Sequence, residues 1–262
     1  MNTAGLMQGK KGLIVGIAND RSYATFITES LLKAGAQCAF THLPGEKMER
    51  RCRNALTELG LSDPWLMPMD AGSDADLDTV FAKLKADWGT IDFVVHSIAF
   101  ADKSWLEKGK FCATPRQVFT QAMDISAFTY QAMAVRAADL MPNGGAMIAL
   151  SYYGAEKAVP GYNVMGVAKA ALEATNRYIA MELGAKQIRA NVISGGPLKT
   201  LSAMAVGGFG DILGWVEKKA PLQRNITGEE VGDTALFLVS DLSKGITGQC
   251  IYVDAGYSIM GL

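Results

Sequence analysis

Only two histidines, His42 and His96, occur in this chain of 262 residues, and no Ser/His/Asp triad is apparent around either. The four cysteines, Cys38, Cys52, Cys112 and Cys250, are scattered without metal-ligand spacing. That argues against a metal site and for reduced thiols in a cytoplasmic protein. Charge of neither sign dominates: 25 Lys and Arg against 26 Asp and Glu leave a net charge of −1, with no basic stripe. Nucleic acid and anionic membrane surfaces are therefore not expected partners. No apolar run approaches the roughly 20 residues needed to cross a bilayer. The opening, MNTAGLMQGKKGLIVGI, reaches glycine and a strand too soon for a signal peptide. Linkers, repeats and low-complexity tracts are also missing, so one domain spanning 1–262 is expected.

What the chain does have is a core's worth of apolar residues, 49% of the total, arranged in a repeating order. Short β-rich runs lie near residues 14 (GLIVGI), 40 (CAFTH), 67 (PWLMPMD), 94 (IDFVVHS), 148 (GAMIALS), 191 (IRANVIS) and 251 (QCIYVD). Between them run helical patterns: from about Ser22, over EKMERRCRNALTEL and SDADLDTVFAKLKADW, as one long helix from Val118 to Leu140, through Lys169, and near 230–239. Near-continuous apolar strands alternating with amphipathic helices predict an α/β fold: a doubly wound parallel sheet of Rossmann type. Ligands of such sheets bind beyond the carboxyl ends of the strands.

The first strand runs into Gly16-Ile17-Ala18-Asn19-Asp20-Arg21-Ser22-Tyr23. This is not G-x-G-x-x-G. Gly16 still permits a tight turn, and Ser22 can cap the helix whose free N–H groups suit a pyrophosphate. A βα loop that merely needs a small residue and a cap reads the same way. The second strand ends Phe40-Thr41-His42-Leu43-Pro44. It offers no acid for a ribose 2′-hydroxyl and no arginine for a 2′-phosphate, so NADH and NADPH both stay open. Asp70, at the end of the third strand, is either an adenine contact or a turn aspartate.

SYYGAEKAVPGYNVMGVAKAALE carries the chemistry. Tyr162 and Lys169 are seven residues apart, which on an α-helix leaves them within about 20° of one face. A phenol and an ammonium on one face suit the oxyanion that hydride addition creates. Tyr153 and Lys157 form a competing Y-x-x-x-K pair. Tyr153 follows the strand MIALS almost at once, with Pro160-Gly161 ahead of the helix, so this pair is expected in a loop. His96, flanked by apolar residues, reads as structural.

S-Y-x-G-A-E-K-A-x-P-x-Y-N-V-M-G-x-A-K-A-x-L-E resembles the active-site segment of the enoyl-acyl-carrier-protein reductases, a divergent branch of the short-chain dehydrogenase/reductase superfamily. Further matches run along most of the chain: G-x5-S-x-A from Gly16, VHSIAFA at 95–101, RANVISGGPLKTL at 189–201 and the ending G-x-x-x-x-V-D-A-G-Y-S. The resemblance implies an NADH-dependent reductase of 2-enoyl chains on acyl carrier protein, assembled as a homotetramer. It implies that Tyr162 donates to the enolate oxygen, that Lys169 holds the nicotinamide ribose, and that Tyr152 lines the acyl pocket. Gly16, Ser22, Tyr23, Asp70, Ala71, Ser97, Ile98, Ala99, Leu198 and Thr200 fall along the cofactor, and Phe100 and Ala101 border the substrate. A lid is expected around 198–220, with Met204 and Phe209 over the acyl chain. The family's basic residues for carrier protein map onto Gly207, Gly210 and Asp211 here, with Lys218 and Lys219 nearby as substitutes, and Lys199 stands where an arginine is expected.

Two other readings share these residues. A carbonyl-reducing short-chain dehydrogenase would want a serine at 149 before Tyr162, or at 140 before Tyr153; the chain has Ala149 and Leu140. A catalytically silent nucleotide-binding protein would have no need to keep Tyr152, Tyr162 and Lys169.

Overall fold

A computed structural model describes residues 3–198, 200, 204 and 209–261. Seven strands are formed where the apolar runs place them: β1 (Lys11–Val15), β2 (Gln37–His42), β3 (Trp65–Pro68), β4 (Phe93–His96), β5 (Gly145–Ser151), β6 (Ile188–Gly195) and β7 (Cys250–Val253). They make one sheet, ordered β3-β2-β1-β4-β5-β6-β7, and every neighbouring pair is parallel. Parallel neighbours need a crossover, and the helices supply it: α1 (Tyr23–Lys33), α2 (Glu46–Glu58), α3 (Asp74–Trp88), α4 (Arg116–Met123), α5 (Thr129–Ala138), α6 (Asn163–Leu183), α7 (Phe209–Lys219) and α8 (Gly228–Val239).

Strand residues alternate between two cores, as the two-residue period demands. Ile14, Phe93, Val95, Ile148 and Ile193 pack with Ile27 and Leu31 of α1 and Val231 and Ala235 of α8. Leu13, Val94, Met147 and Val192 pack on the other face with Leu77 and Phe81 of α3, Met133 of α5 and Leu172 of α6. Burial on both faces is why the strands read as continuous apolar runs and not as alternating ones. A third, smaller cluster of Leu106, Ala122, Val164, Met165 and Ala168 lies beside the site and packs against Tyr162. Among the described residues, no helix is long and apolar enough to cross a membrane.

Two helical expectations are corrected. The single helix from Val118 to Leu140 is two α-helices joined by a π-helical turn, Asp124–Phe128. Periodicity could not show this, because the turn keeps the chain helical while shifting its register. The turn brings the Ser126 hydroxyl to the backbone of Phe100, accepting from its N–H at 3.1 Å. No helix is read from the sequence between the run near 191 and the pattern near 230–239, yet Phe209–Lys219, within the expected lid, is the helix α7.

Candidate active site

The order of strands reverses between β1 and β4, which are hydrogen-bonded to each other. A cleft of about 570 Å³ opens at their carboxyl ends. Gly16 forms its floor where β1 ends, with φ +108°. A Cβ there would stand 2.1 Å from the Ser97 carbonyl oxygen, so no side chain fits between the two loops. Ser22 precedes α1 and makes no side-chain capping bond. Its hydroxyl lies 2.8 Å from that of Thr25, leaving the first-turn N–H groups of α1 without a side-chain cap. Tyr23 crosses the cleft and donates to the carbonyl of Gly196.

Gly16, Ser22, Tyr23, Ser97, Ile98, Ala99, Phe100, Ala101, Tyr152, Tyr162, Lys169, Leu198 and Thr200 all line this cleft. Three other named and described residues, Asp70, Ala71 and Met204, are not among its lining. Asp70 is exposed and closes a turn, its carboxylate accepting from the N–H of Gly72 at 2.9 Å. Ala71 is buried beside it. Met204 is exposed, and the Phe209 side chain lies outside the described residues, as do Lys199 and Gly207. The site residues named from sequence leave out Asn19, Asp102, Lys103, Leu106, Gln121, Leu150, Ser151, Met165 and Ile212, which line the walls together with Ala18 and the stretch Gly195-Gly196-Pro197. Most of these are neighbours of named residues. Leu106 and Gln121 come from the loop and helix after β4, and no local motif marks them.

Tyr162 and Lys169 meet in the cleft by a different route from the one their spacing suggested. Helix α6 starts at Asn163, so Tyr162 is the residue before it. Asn163 is left-handed at φ 45°. Its carboxamide donates to the carbonyls of Trp105 and Glu107, both at 2.7 Å. That tether fastens the loop after β4 to the start of α6 and sets the direction of Tyr162. Asn163→Ala is expected to lose both bonds, at about 1–2 kcal/mol of stability. A thermal melt checks the loss.

The Tyr162 ring stands edge-on to Tyr152 at 4.9 Å. A Cβ on Gly154 would come within 2.4 Å of the ring, so the glycine makes this packing possible. Among the described residues the Tyr162 hydroxyl has no hydrogen-bond partner. Burial first, then the neighbouring Tyr152, Tyr23 and Glu173, hold its ionisation far above the ordinary tyrosine range. It is a neutral donor at any physiological pH. Lys169 is only 6% exposed. Burial pushes it down to about 8, with Glu173 pulling the other way. Its Nζ donates to the Leu150 carbonyl at 2.6 Å, which leaves two protons for a ligand.

The competing pair is not in the cleft. Tyr153 begins a short 3-10 turn, Tyr153–Ala155, and its ring packs on Tyr252 and Tyr257. His96 is fully buried, hydrogen-bonded to the Thr129 hydroxyl at 2.8 Å, and pushed down to about 3 by burial and then by Lys169. It holds strand β4 to α5 and stays neutral. Among the described residues no cluster of three or more potential metal ligands occurs.

Comparison with known proteins places this geometry. The family model described as enoyl-(acyl carrier protein) reductase matches residues 16–258. Enoyl-acyl-carrier-protein reductase (NADH) 1 of Rhizobium meliloti is 49% identical over 259 residues, covering 99% of this chain and 94% of its own. The NADH enzyme of Bacillus cereus is 48% identical over 256 residues, 98% of this chain and 99% of its own. Among solved structures, the reductase of Anaplasma phagocytophilum in complex with NAD matches with TM-score 0.94 and 45% identity, over 100% of this chain and 98% of its own. The Bacillus cereus reductase with NADP+ and indole naphthyridinone matches with TM-score 0.95 and 47% identity, over 98% and 99%. With the motifs of the Tyr162 segment, the sheet order and the full-length identity all agreeing, this chain belongs to the enoyl-(acyl carrier protein) reductase family.

Proposed function

We propose that this protein reduces the C2–C3 double bond of 2-enoyl chains carried by acyl carrier protein, with NADH as reductant, in fatty acid elongation. The cleft suits a dinucleotide: glycine where a Cβ would collide with Ser97, and an α1 N-terminus without a side-chain cap. Gly16, Ser22, Tyr23, Ser97, Ile98, Ala99, Leu198 and Thr200 would hold it, with Lys169 at the nicotinamide ribose. Asp70 and Ala71, at the same edge of the sheet, are assigned to its adenine end. A bound reduced nicotinamide supplies the hydride that adds at C3 of the enoyl thioester. The rest falls to the protein. Negative charge gathers on the thioester oxygen, and the neutral Tyr162 hydroxyl donates to it, with the Lys169 charge nearby. The observation that carries this reading is the Tyr162 hydroxyl, without a hydrogen-bond partner among the described residues, sharing a cleft with a buried ammonium.

Phe100, Ala101 and Tyr152 form the acyl wall, and residues 198–220 serve as a lid, with Met204 and Phe209 over the chain. Ile212 of α7 already lines the cleft. For the carrier protein, Lys218 and Lys219 take the part of the cations missing at Gly207, Gly210 and Asp211. Asp211 itself faces Lys108 at 3.8 Å. The assembly is read as a cytoplasmic homotetramer without nucleic acid.

Mixing the protein with crotonyl-CoA and each reduced cofactor tests the reading. NADH should be oxidised. If neither is consumed with crotonyl-CoA, but one is consumed with a 3-keto thioester, the protein is instead a carbonyl reductase.

A further inference from the structure

Behind the Tyr–Lys pair lies a carboxylate for which the proposed mechanism has no use. Lys169, Glu173 and Arg177 follow one another at four-residue steps along α6 and so lie one turn apart on one side of the helix. Glu173 is half-buried. The buried Ser151 hydroxyl, at the cleft wall, donates to its Oε1 at 2.6 Å. Ser151 is the residue after Leu150, whose carbonyl accepts a hydrogen bond from Lys169 at 2.6 Å. The end of β5 is therefore held from α6 at two consecutive residues, once by the ammonium and once by the carboxylate. The next residue is Tyr152, which packs on Tyr162.

Resting on the proposed reading of the cleft, we propose that Glu173 is a positioning residue that keeps the Lys169 ammonium charged and locks the Leu150–Ser151 end of β5 beneath the nicotinamide side of the cleft. A buried ammonium whose only partner among the described residues is a carbonyl is poorly compensated, and a carboxylate one turn away supplies the missing opposite charge. Other charges reach Glu173 from every side. Burial first, and Glu156 from beyond the Tyr153 turn, hold its carboxyl above the usual range. The Ser151 hydroxyl, the Cys250 thiol from β7 and Arg177 act against them.

The test is a titration of Lys169 in the protein alone, followed by 13C-lysine NMR and assigned with Lys169→Arg. Glu173→Gln keeps the shape and an acceptor for Ser151 but removes the charge. Its Lys169 midpoint should fall by about one pH unit, and the alkaline limb of kcat/KM for NADH should fall with it. Glu173→Asp should restore most of the shift. In the unmodified protein, the Lys169 signal should carry a second inflection at the acid end, where Glu173 takes up its proton. An unmoved midpoint in Glu173→Gln, or no such inflection in the unmodified protein, overturns the proposal. Either result is independent of turnover: loss of the enoyl activity would sink the functional reading, and an unresponsive Lys169 would sink only the role of Glu173.

Discussion

Tyr162→Phe is expected to lower kcat for a short 2-enoyl thioester by about 10²–10³, the usual loss when one oxyanion donor is removed. Affinity for NADH and thermal stability should stay where they are. The reasons are local. The hydroxyl has no protein partner among the described residues, so its removal breaks no internal hydrogen bond. The ring keeps its edge-on contact with Tyr152 and its place over Gly154. An effect on kcat with KM for NADH unchanged separates a donor used in the transition state from one used in ground-state binding. Single-turnover kinetics, with a binding titration beside them, make the distinction.

Lys169→Met should do the reverse. On the proposed reading two charge-assisted hydrogen bonds to the cofactor disappear, each worth about 1.5–3 kcal/mol, so NADH should bind about 10²–10⁴-fold more weakly. Stability should not fall with it. Below pH 8 the ammonium is charged in both states, and its burial counts fully against folding. Between about 8 and an unfolded value of about 10.4 the unfolded chain binds more protons, so stability rises with pH; above that the penalty is gone. The difference is about 3 kcal/mol, against about 1–3 kcal/mol for leaving the Leu150 carbonyl without its donor. The methionine variant should therefore be at least as stable as the parent at pH 7, and its stability should no longer rise between pH 8 and 10. Denaturant melts across that range check the sign. A variant that binds NADH normally would mean that the ammonium serves some other purpose.

The strands were legible because burial on both faces writes each one as an unbroken apolar run, and all seven fall where those runs lie. The cleft was legible to the extent that its residues are neighbours in sequence. Gly16, Ser22 and Tyr23 share one turn, Ser97 to Ala101 follow one strand, and Tyr152, Tyr162 and Lys169 share one segment. Spacing failed where the backbone leaves the ideal helix. Seven residues on a helix put Tyr162 and Lys169 on one face, yet Asn163 is left-handed and Tyr162 lies outside α6. Both still line the cleft, and the carboxamide of Asn163 ties its own turn to Trp105 and Glu107, a contact more than fifty residues distant in sequence. The π-helical turn at Asp124–Phe128 was hidden for a related reason: it changes hydrogen-bond register without changing composition. Asp70 shows the other limit. An aspartate at a strand end fits an adenine contact and a turn equally well by sequence, and its bond to Gly72 uses one carboxylate oxygen, which is compatible with both.

The central claim is that one phenol and one ammonium converge on the reacting end of this cleft. A crystal structure of the protein with NAD+ and an unreactive 2-enoyl thioester analogue measures that directly. The Tyr162 hydroxyl should lie about 2.6–3.2 Å from the thioester oxygen, with Lys169 Nζ within hydrogen-bonding distance of the nicotinamide ribose. A thioester oxygen held by another group, with Tyr162 out of reach, would contradict the account.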